Sequence, residues 1–592
     1  MTSTLQILIV SAVILFLIVA LYKEFIRPTL TFLFAIVALV VSGIIGPKEV
    51  LEGFSNEQIA VIILLVILAD CLRKTDLINN MFEWIFSGKL GYKGFLWRLT
   101  SFVSFTSAWV NNTPIVALLM PYVQEWGKKN NVRASKLLIP LSYATIMGGM
   151  ITLIGTSTNL IVSGLMVENG LKPLSMFDFS AVGIPVAIMG ILYFQFFGHR
   201  LLPIRTDPAS SFKSNQREYV TECVIGAESA LHGKTVEQAQ LAHPDGLYLV
   251  ELVRDGINMS PVPSSEILLR GDVLIFAGNT ERITELVRSG KGIQLAGNNF
   301  TSVPDGKFSL VEAVVSPDSY LVGKNVNETD FRPKYDAAIV GIHRNGEKLA
   351  GKIGDIRMKA GDLLLVQPGP DFNFHVAGSR DLMIIGKVKP SRKIGIRDSY
   401  ILLGATVTAI ALAAFNLFNL FSGLVVAVGL LLLLRVIRVR DVKEGLDLNL
   451  IILLAFALSI GKALSVSGAA KFYAGELVGL LQPLGVIGIL AGIYLITNIL
   501  TAFMTNAASV AITIPIALET CESLAINPMP FMLGIAFAGT GDFMTPIGYQ
   551  TNLMVYGPGG YKFRDYVKVG FPLTLLYMIM TVVSLGWLYD LY

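Results

Sequence analysis

Long apolar runs lie at both ends of the chain, and a charged stretch separates them. Leu5–Tyr22, Thr29–Gly46 and Ile401–Leu434 are clear examples, and a membrane-spanning helix needs about 20 mostly apolar residues. Between residues 205 and 395, short segments alternate apolar and polar positions between glycine–aspartate turns, which is typical of small α+β units. The pattern therefore predicts an all-α polytopic membrane protein with an inserted α+β region.

Each apolar end divides into five predicted spans and one re-entrant helical hairpin. The fourth span of each copy contains glycine, threonine and asparagine, and in the first copy we expect a break at 155–159. The first copy has spans near 5–22, 29–46, 56–72, 136–166 and 179–200 with a hairpin near 95–125, and the second has spans near 399–415, 420–434, 447–464, 529–556 and 567–589 with a hairpin near 483–520.

Polar residues interrupt the apolar runs at the same places in both ends of the chain. A shared spacing over four landmarks indicates an internal duplication with a broken helix at the same place in each copy. Interruptions at matching places in two halves are the best sequence pointer to the binding site of a transporter. Asn112 and Asn506 are 394 positions apart, as are Pro121 and Pro515, whereas Asn159 and Asn552 are 393 apart, as are Gly155 and Gly548.

The positions of the basic residues in the loops predict the orientation of the two repeats in the membrane. Five spans per copy is an odd number, so the second copy enters the membrane the other way up and forms an inverted repeat. If the N-terminus is outside, the basic loops fall on one side, and the positive-inside rule places the insert in the cytoplasm and both termini outside an inner or plasma membrane. The net charge of +4 is spread over these loops, which does not suggest a nucleic-acid polymer as partner.

The insert carries a repeat of its own, in which every landmark recurs after 90 residues. We therefore divide the chain into a first membrane repeat at 1–204, two insert domains at 205–300 and 301–395, and a second membrane repeat at 396–592. The recurring landmarks are Glu222, Gly233-Lys234, Arg254, Gly256 and Gly271-Asp272, which return as Glu312, Gly323-Lys324, Arg344, Gly346 and Gly361-Asp362.

Backbone without helical hydrogen bonds cannot face lipid, so the hairpin tips and the breaks are expected to line a cavity. Free carbonyl groups there can coordinate a small cation, and the N-termini of half-helices can hold an anion. Ionisable groups within membrane segments are functional candidates by default. Asp542 lies three residues before Thr545 and is the candidate for cation or proton coupling, whereas Asp70 and Lys462 lie near the ends of spans.

The tips resemble those of a known family. Asn111-Asn112-Thr113 and Thr505-Asn506-Ala507 are similar to the paired Ser-Asn-Thr signatures of the divalent anion–sodium symporter family, which carries dicarboxylates, citrate or sulfate. Asn111 replaces the usual serine, and Ala507 replaces a frequent threonine, so the anion stays open. With the breaks, the resemblance implies substrate contacts from Asn112, Thr113, Asn506, Ala507, Thr156, Asn159 and Asn552, one Na⁺ near Ser107, Asn111, Asn112 and Gly155, and a second near Thr501, Thr505, Asn506 and Met544.

The two insert domains resemble the TrkA-C regulatory modules of potassium-transport proteins. Members of the symporter family with two such inserts exist and several are sulfate permeases, so the resemblance favours sulfate as the substrate. The modules imply a homodimer and either a gate with a nucleotide or small-molecule regulator or a passive assembly domain. We therefore expect a Na⁺-coupled symporter of a small divalent anion in contact with membrane lipid, working by alternating access of the elevator type. The alternatives are a dicarboxylate symporter, a Na⁺/H⁺ antiporter and an anion exporter. The sequence contains no nucleophile–base pair that would indicate an enzyme.

Overall fold

The computed structural model describes most of both membrane repeats and much of the insert. Among the described residues, eight helices are long and apolar enough to cross a membrane, and six of them coincide with predicted spans. The other two, Ala469–Phe503 and Asn506–Leu524, contain the predicted hairpin near 483–520. The described residues are 3–23, 28–75, 85–86, 91–205, 394–415, 417–446 and 448–592, and 220–385 apart from 227–228, 240, 242–246, 255–256, 260–261, 279–291, 296–310, 317–318, 345–346, 350–352, 370, 378 and 380.

The first membrane repeat contains helices and connecting loops and no strand among its described residues. The predicted span near 29–46 is an apolar helix of only 14 residues, followed by a short helix that the sequence analysis did not predict. The last helix continues through a π-helical turn at Phe194–Gly198 to Leu201. The helices are α1 (Ser3–Lys23), α2 (Pro28–Val41), α3 (Pro47–Phe54), α4 (Glu57–Arg73), α5 (Tyr92–Ser107), α6 (Asn112–Lys129), α7 (Leu138–Gly149), α8 (Ser157–Glu168) and α9 (Ser180–Tyr193).

The insert contains two antiparallel five-stranded sheets with the same topology. The first has the order β3-β2-β4-β1-β5, and the second has β10-β6-β9-β7-β8, which is the same order read from the other end. The elements are β1 (Val220–Ile225), β2 (Leu247–Arg254), β3 (Ile257–Met259), β4 (Val273–Gly278) and β5 (Ile293–Leu295), then β6 (Val311–Val315), α10 (Phe331–Tyr335), β7 (Ala337–Arg344), β8 (Glu347–Lys348), β9 (Leu363–Pro368), α11 (Phe372–Ala377) and β10 (Leu382–Ile385).

The 90-residue repeat extends to details of the two sheets. Each has a bulge at the same place, between Leu249 and Glu251 in the first and between Ile339 and Gly341 in the second. The glycine–aspartate turns also match, whereas the landmarks Gly256 and Gly346 lie outside the described residues. In both turns the glycine has a positive φ and an arginine donates to both carboxylate oxygens of the aspartate: Gly271, Arg254 and Asp272 in the first, and Gly361, Arg344 and Asp362 in the second.

The second membrane repeat follows the first helix by helix. The additional helix α16 was not predicted, and the corresponding part of the first repeat lies largely outside the described residues. The helices are α12 (Ile396–Ala414), α13 (Leu420–Leu433), α14 (Val439–Gly445), α15 (Leu448–Val466), α16 (Ala469–Leu481), α17 (Gly485–Phe503), α18 (Asn506–Leu524), α19 (Met529–Thr540), α20 (Gln550–Tyr556) and α21 (Phe563–Leu588).

The fourth predicted span is interrupted in both repeats. Helix ends at Gly149 and resumes at Ser157 in the first, and it ends at Thr540 and resumes at Gln550 in the second. The prediction of a break at 155–159 therefore places both its start and its end too late in the chain. The helix already ends at the paired glycines 148 and 149 of α7. The residues of α7 are buried on all sides, so this segment lies inside protein and not against lipid.

Two glycines explain why the last helix of each repeat packs so closely on the break. A Cβ atom on Gly183 of α9 would lie 2.3 Å from the carbonyl oxygen of Met150, and one on Gly570 of α21 would lie 1.9 Å from that of Phe543. Both distances are far below a van der Waals contact, so only glycine fits. The two breaks therefore sit against their neighbouring helices in the same way.

Candidate functional site

The turn between α5 and α6, hereafter the first tip, brings three polar groups together. The hydroxyl of Ser107 lies 2.5 Å from Oδ1 of Asn112 and 2.9 Å from the carbonyl oxygen of Thr145. All three residues are buried. Because a hydroxyl carries one proton, it can donate to only one of the two oxygens. Three oxygen atoms thus face each other with a single proton between them.

The turn between α17 and α18, the second tip, repeats this arrangement 394 residues later. Oγ1 of Thr501 lies 2.9 Å from Oδ1 of Asn506 and 2.8 Å from the carbonyl oxygen of Gly539. These residues correspond in order to the three residues of the first tip. The predicted duplication therefore extends to individual hydrogen-bond partners.

The side-chain amide of Asn506 can be assigned in two orientations. With its oxygen inward, that oxygen lies 2.9 Å from Thr501 Oγ1, 3.0 Å from the carbonyl oxygen of Gly548 and 3.3 Å from that of Gly539. With its nitrogen inward, the amide donates to all three, and its oxygen faces the Thr158 hydroxyl at 3.4 Å. In the second orientation, hydrogen bonds alone satisfy the amide group of Asn506. In the first orientation, its oxygen faces other oxygen atoms, and a cation bound between them would satisfy them.

A glycine of each break presses against the tip of the same repeat. A Cβ atom on Gly155 would lie 2.9 Å from the carbonyl oxygen of Ser107, and one on Gly548 would lie 2.4 Å from that of Thr501. The break and the tip could not approach so closely with a side chain between them. Gly155, which was predicted to lie near the first Na⁺, therefore lies beside the polar cluster of the first tip.

Asn159 and Asn552 hold the two breaks in place. Both are fully buried, and each amide nitrogen donates to two carbonyl oxygens of its own break. Both were predicted to contact substrate, and the structure turns their amide nitrogens into the breaks. The acceptors are Thr152 (2.8 Å) and Gly149 (3.3 Å) for Asn159, and Asp542 (2.9 Å) and Thr545 (3.0 Å) for Asn552.

Replacing Asn159 or Asn552 by alanine is expected to destabilise the protein. Each change leaves two carbonyl oxygens without a donor in a buried segment, which should cost about 2 kcal/mol or more. Thermal unfolding of the purified variants would measure this. Asn130→Ala is the control, since that exposed side chain bonds only to the carbonyl oxygen of Trp126. Loss of transport at unchanged stability would instead support the predicted substrate contact.

Contacts between the repeats join the first tip to the second break. The amide nitrogen of Asn112 donates to the phenol oxygen of Tyr549, and the same phenol lies 3.2 Å from Oγ1 of Thr156. The hydroxyl of Thr113 donates to Oε1 of Gln550 over 2.8 Å. The predicted residues Asn112, Thr113 and Thr156 are thus brought together at one place, with two partners from the other repeat.

Tyr549, Gln550 and Thr158 were not predicted as residues of the site. A signal for them was available, because Tyr549 and Gln550 follow Thr156 and Ser157 by the same 393 positions that relate the two breaks. Because their residue types differ from those of their counterparts, the recurrence of Asn, Thr and Gly in the two repeats does not mark them.

Asp542 breaks the symmetry of the two sites. Its buried carboxylate accepts from the hydroxyl (2.7 Å) and the backbone N–H (3.2 Å) of Thr545, and no ion pair joins it to a basic group in the part of the chain that the structure describes. Its counterpart is Gly149, where a Cβ atom would lie 2.9 Å from Oδ1 of Asn112. Only the second site therefore has a carboxylate.

The other predicted residues lie around these clusters. Asn111 lines a small and mostly apolar cavity between the first tip and α4, together with Trp109, Val110 and Ser157. Thr505 caps α18 by accepting from the N–H of Ala508 over 3.3 Å, and Ala507 is buried in the first turn of that helix. Met544 lies within the second break. Of the two ionisable residues near span ends, Asp70 is 3.5 Å from Lys74 near the end of α4, and Lys462 is half-buried in α15.

Comparison with known proteins gives the family. The profile of the CitMHS family, described as citrate transporter, matches residues 13–520 and 413–591. An uncharacterized transporter of Synechocystis sp. is 30% identical over 590 residues, 97% of this chain and 96% of the relative. Sodium/sulfate cotransporter 2 of Chlamydomonas reinhardtii is 22% identical over 770 aligned positions, 95% of this chain and 87% of the relative.

The sodium/sulfate cotransporter 1 of the same alga is similarly related, with 23% identity over 95% of this chain. The predicted transporter class is confirmed by these matches, and the family and its relatives are transporters and not enzymes. Together with the eight candidate spans, the match over most of the chain shows that this protein is a multi-pass membrane protein and belongs to the CitMHS citrate transporter family.

Proposed function

We propose that the protein is a Na⁺-coupled symporter of a small divalent anion, with sulfate as the favoured substrate. The observation that carries the proposal is the pair of matching oxygen clusters at the two tips, at Ser107 and Asn112 and at Thr501 and Asn506. The names of the relatives support sulfate over citrate, because two of them are sodium/sulfate cotransporters.

The two clusters have the chemistry of cation sites. At the first cluster a hydroxyl, an amide oxygen and a carbonyl oxygen share a single proton, and the second cluster repeats this when the oxygen of Asn506 faces inward. Small hard cations prefer oxygen ligands of this kind. We assign one Na⁺ to Ser107, Asn112 and the neighbouring Gly155, and a second to Thr501 and Asn506 with Asp542 close by.

The anion is proposed to bind between the tips, at the N-termini of α6 and α18. Asn111 precedes α6 without capping it by its side chain, so the backbone N–H groups of Asn112 and Thr113 remain available to an anion, whereas Pro114 has none. Thr113 and Gln550 add a hydroxyl and an amide at the exposed side of the same place. Neutral donors hold an anion without a fixed counter-charge, which eases its release.

Transport would follow from movement of the tips and breaks against α4 and its neighbours. The small cavity beside Asn111 lies at the boundary between the first tip and α4, where such a movement would take place. In this proposal the repeats are inverted, the hairpins are re-entrant, the insert and its TrkA-C-like modules are cytoplasmic and both termini are outside. The protein would function as a homodimer in an inner or plasma membrane.

Asp542 supports a second candidate function. A buried carboxylate without a basic partner among the described residues can bind either Na⁺ or a proton, as a Na⁺/H⁺ antiporter or a proton-coupled anion exporter requires. The dicarboxylate symporter differs from our proposal only in the anion and uses the same sites.

Uptake by proteoliposomes separates these functions. We expect labelled sulfate to accumulate only with an inward Na⁺ gradient, and succinate and citrate to be taken up more slowly. Accumulation of succinate in preference to sulfate would favour the dicarboxylate symporter. Exchange of Na⁺ for H⁺ without anion flux would contradict the proposal and favour the antiporter.

The insert is proposed to regulate transport through its second sheet, which contacts α20 directly. A Cβ atom on Gly361 would lie 2.6 Å from Cδ1 of Leu553, and one on Gly557 would lie 3.0 Å from the carbonyl oxygen of Gly361. Leu363 of the same sheet belongs to the apolar core of the membrane part. Since α20 carries Gln550, a change in this contact reaches the proposed anion site.

The ends of the insert are attached to different helices of the membrane part. Arg205, where the insert begins, donates two bonds to Asp565 of α21 over 2.9 and 3.0 Å. Where it ends, the N–H of Ile394 donates to the carbonyl oxygen of Lys74 at the end of α4 over 3.1 Å. If α21 and α4 move relative to each other, the insert must follow both, and a ligand that stiffens it would slow transport.

Gly361→Ala is expected to raise the turnover of anion uptake by about five-fold, because about 1 kcal/mol of docking free energy is lost. The KM for the anion should not change. Gly271→Ala is the matched control: its glycine has a similar positive φ in the first sheet, but among the described residues no neighbouring atom lies within 4 Å of its Cβ position. Equal effects of the two substitutions would show that backbone strain, and not docking, is responsible.

A further inference from the structure

Tyr549 contacts the first proposed cation site through its side chain and directly follows Gly548 of the second. Its phenol accepts from the amide nitrogen of Asn112 and lies 3.2 Å from Oγ1 of Thr156, both at the first site. Its backbone follows Gly548, whose carbonyl oxygen lies 3.0 Å from the side-chain amide of Asn506 at the second site. The side chain is 6% exposed, so solvent does not replace these contacts.

The contacts between the two sites are not symmetric. The counterpart of Tyr549 in the first repeat is Thr156, whose side chain reaches Tyr549 itself and is too short to cross to the second tip. Asn506 instead faces Thr158 over 3.4 Å. The first tip is therefore fixed by a residue of the second break, whereas the second tip has a longer and weaker contact with the first repeat.

We infer that Tyr549 is a positioning residue that couples the two cation sites, an inference that rests on the proposed Na⁺ symport. A cation at the second site draws in the oxygen of Asn506 and the carbonyl group of Gly548, and this shifts the backbone on which Tyr549 is carried. The phenol transmits the shift to Asn112, whose oxygen belongs to the first site. Binding at either site then favours binding at the other, as linkage between sites requires.

The test measures Na⁺ binding to the full-length protein in detergent, at constant ionic strength with choline. Trp109 lies in the first tip and reports binding by its fluorescence. The wild type is expected to bind Na⁺ with a Hill coefficient above 1, and Tyr549→Phe should lower it to about 1. Half-saturation should move to a Na⁺ concentration roughly five- to ten-fold higher, as expected for one lost hydrogen bond.

Tyr577→Phe is the matched control. Its ring also lies against the second break, 5.2 Å from that of Phe543, and its hydroxyl is buried without a hydrogen-bond partner among the described residues. This variant should bind Na⁺ as the wild type does. If Tyr549→Phe does not fold, Thr156→Val removes the other hydroxyl of the bridge and should reduce the cooperativity in part.

The outcomes separate this inference from the proposed function. A cooperative wild type with equally cooperative Tyr549→Phe and Thr156→Val variants would overturn the inference and leave Na⁺ symport intact. A wild type that binds Na⁺ without cooperativity would overturn the inference as well. A wild type without any response to Na⁺ would overturn both, because neither cation site would then exist.

Discussion

Asp542→Asn should raise the Na⁺ concentration for half-maximal anion uptake by about 100-fold, because the substitution removes a buried charge from the second cation site. Asparagine keeps the size of the side chain and an oxygen that can accept from Thr545, so the break should retain its shape. The affinity for the anion at saturating Na⁺ should change little. Initial rates of uptake at increasing Na⁺ concentration would measure the effect.

Asp70→Asn provides the control for this substitution. Asp70 is also an acidic residue of a membrane helix, but it lies 3.5 Å from Lys74 near the end of α4. The dependence on Na⁺ should therefore stay as in the wild type. If Asp542→Asn changed the pH dependence of transport and left the Na⁺ dependence unaltered, Asp542 would bind a proton, and the second candidate function would be favoured.

The spacing of landmarks along the chain predicts where the tips lie and approximately where the breaks lie. Landmarks 393 and 394 residues apart identified Asn112 with Asn506 and Gly155 with Gly548, and the structure gives the members of each pair corresponding contacts. This works because a duplicated fold places equivalent residues in equivalent surroundings, so that polar residues within apolar runs mark the site twice.

Features that differ between the repeats could not be found in this way. Tyr549 and Asp542 take the places of a threonine and a glycine, and their contacts depend on how the repeats pack together. The docking of Gly361 on α20 is another example, since a glycine in a turn has the same local sequence whether or not a helix lies beside it. The start of the first break was also missed, because it depends on contacts of Asn159 with residues seven and ten positions earlier, which no local pattern shows.

The substitutions Asn112→Ala and Asn506→Ala should each lower transport by at least about 100-fold while the protein remains folded. Each removes the amide oxygen of one cation site, and a truncated ligand in a buried site costs several kcal/mol of transition-state stabilisation. Uptake in proteoliposomes and thermal unfolding of the same preparations would measure the two properties separately.

The choice of control matters, because alanine at a buried asparagine can act through folding alone. Asn130→Ala changes the same residue type at the exposed end of α6 and should leave transport unaltered, whereas Asn159→Ala should reduce stability as well as transport. Wild-type flux in both tip variants would exclude the two clusters as cation sites. A defect in the Asn112 variant alone would instead mean that only the first tip binds an ion, and that the second serves to anchor the break through Gly539 and Gly548.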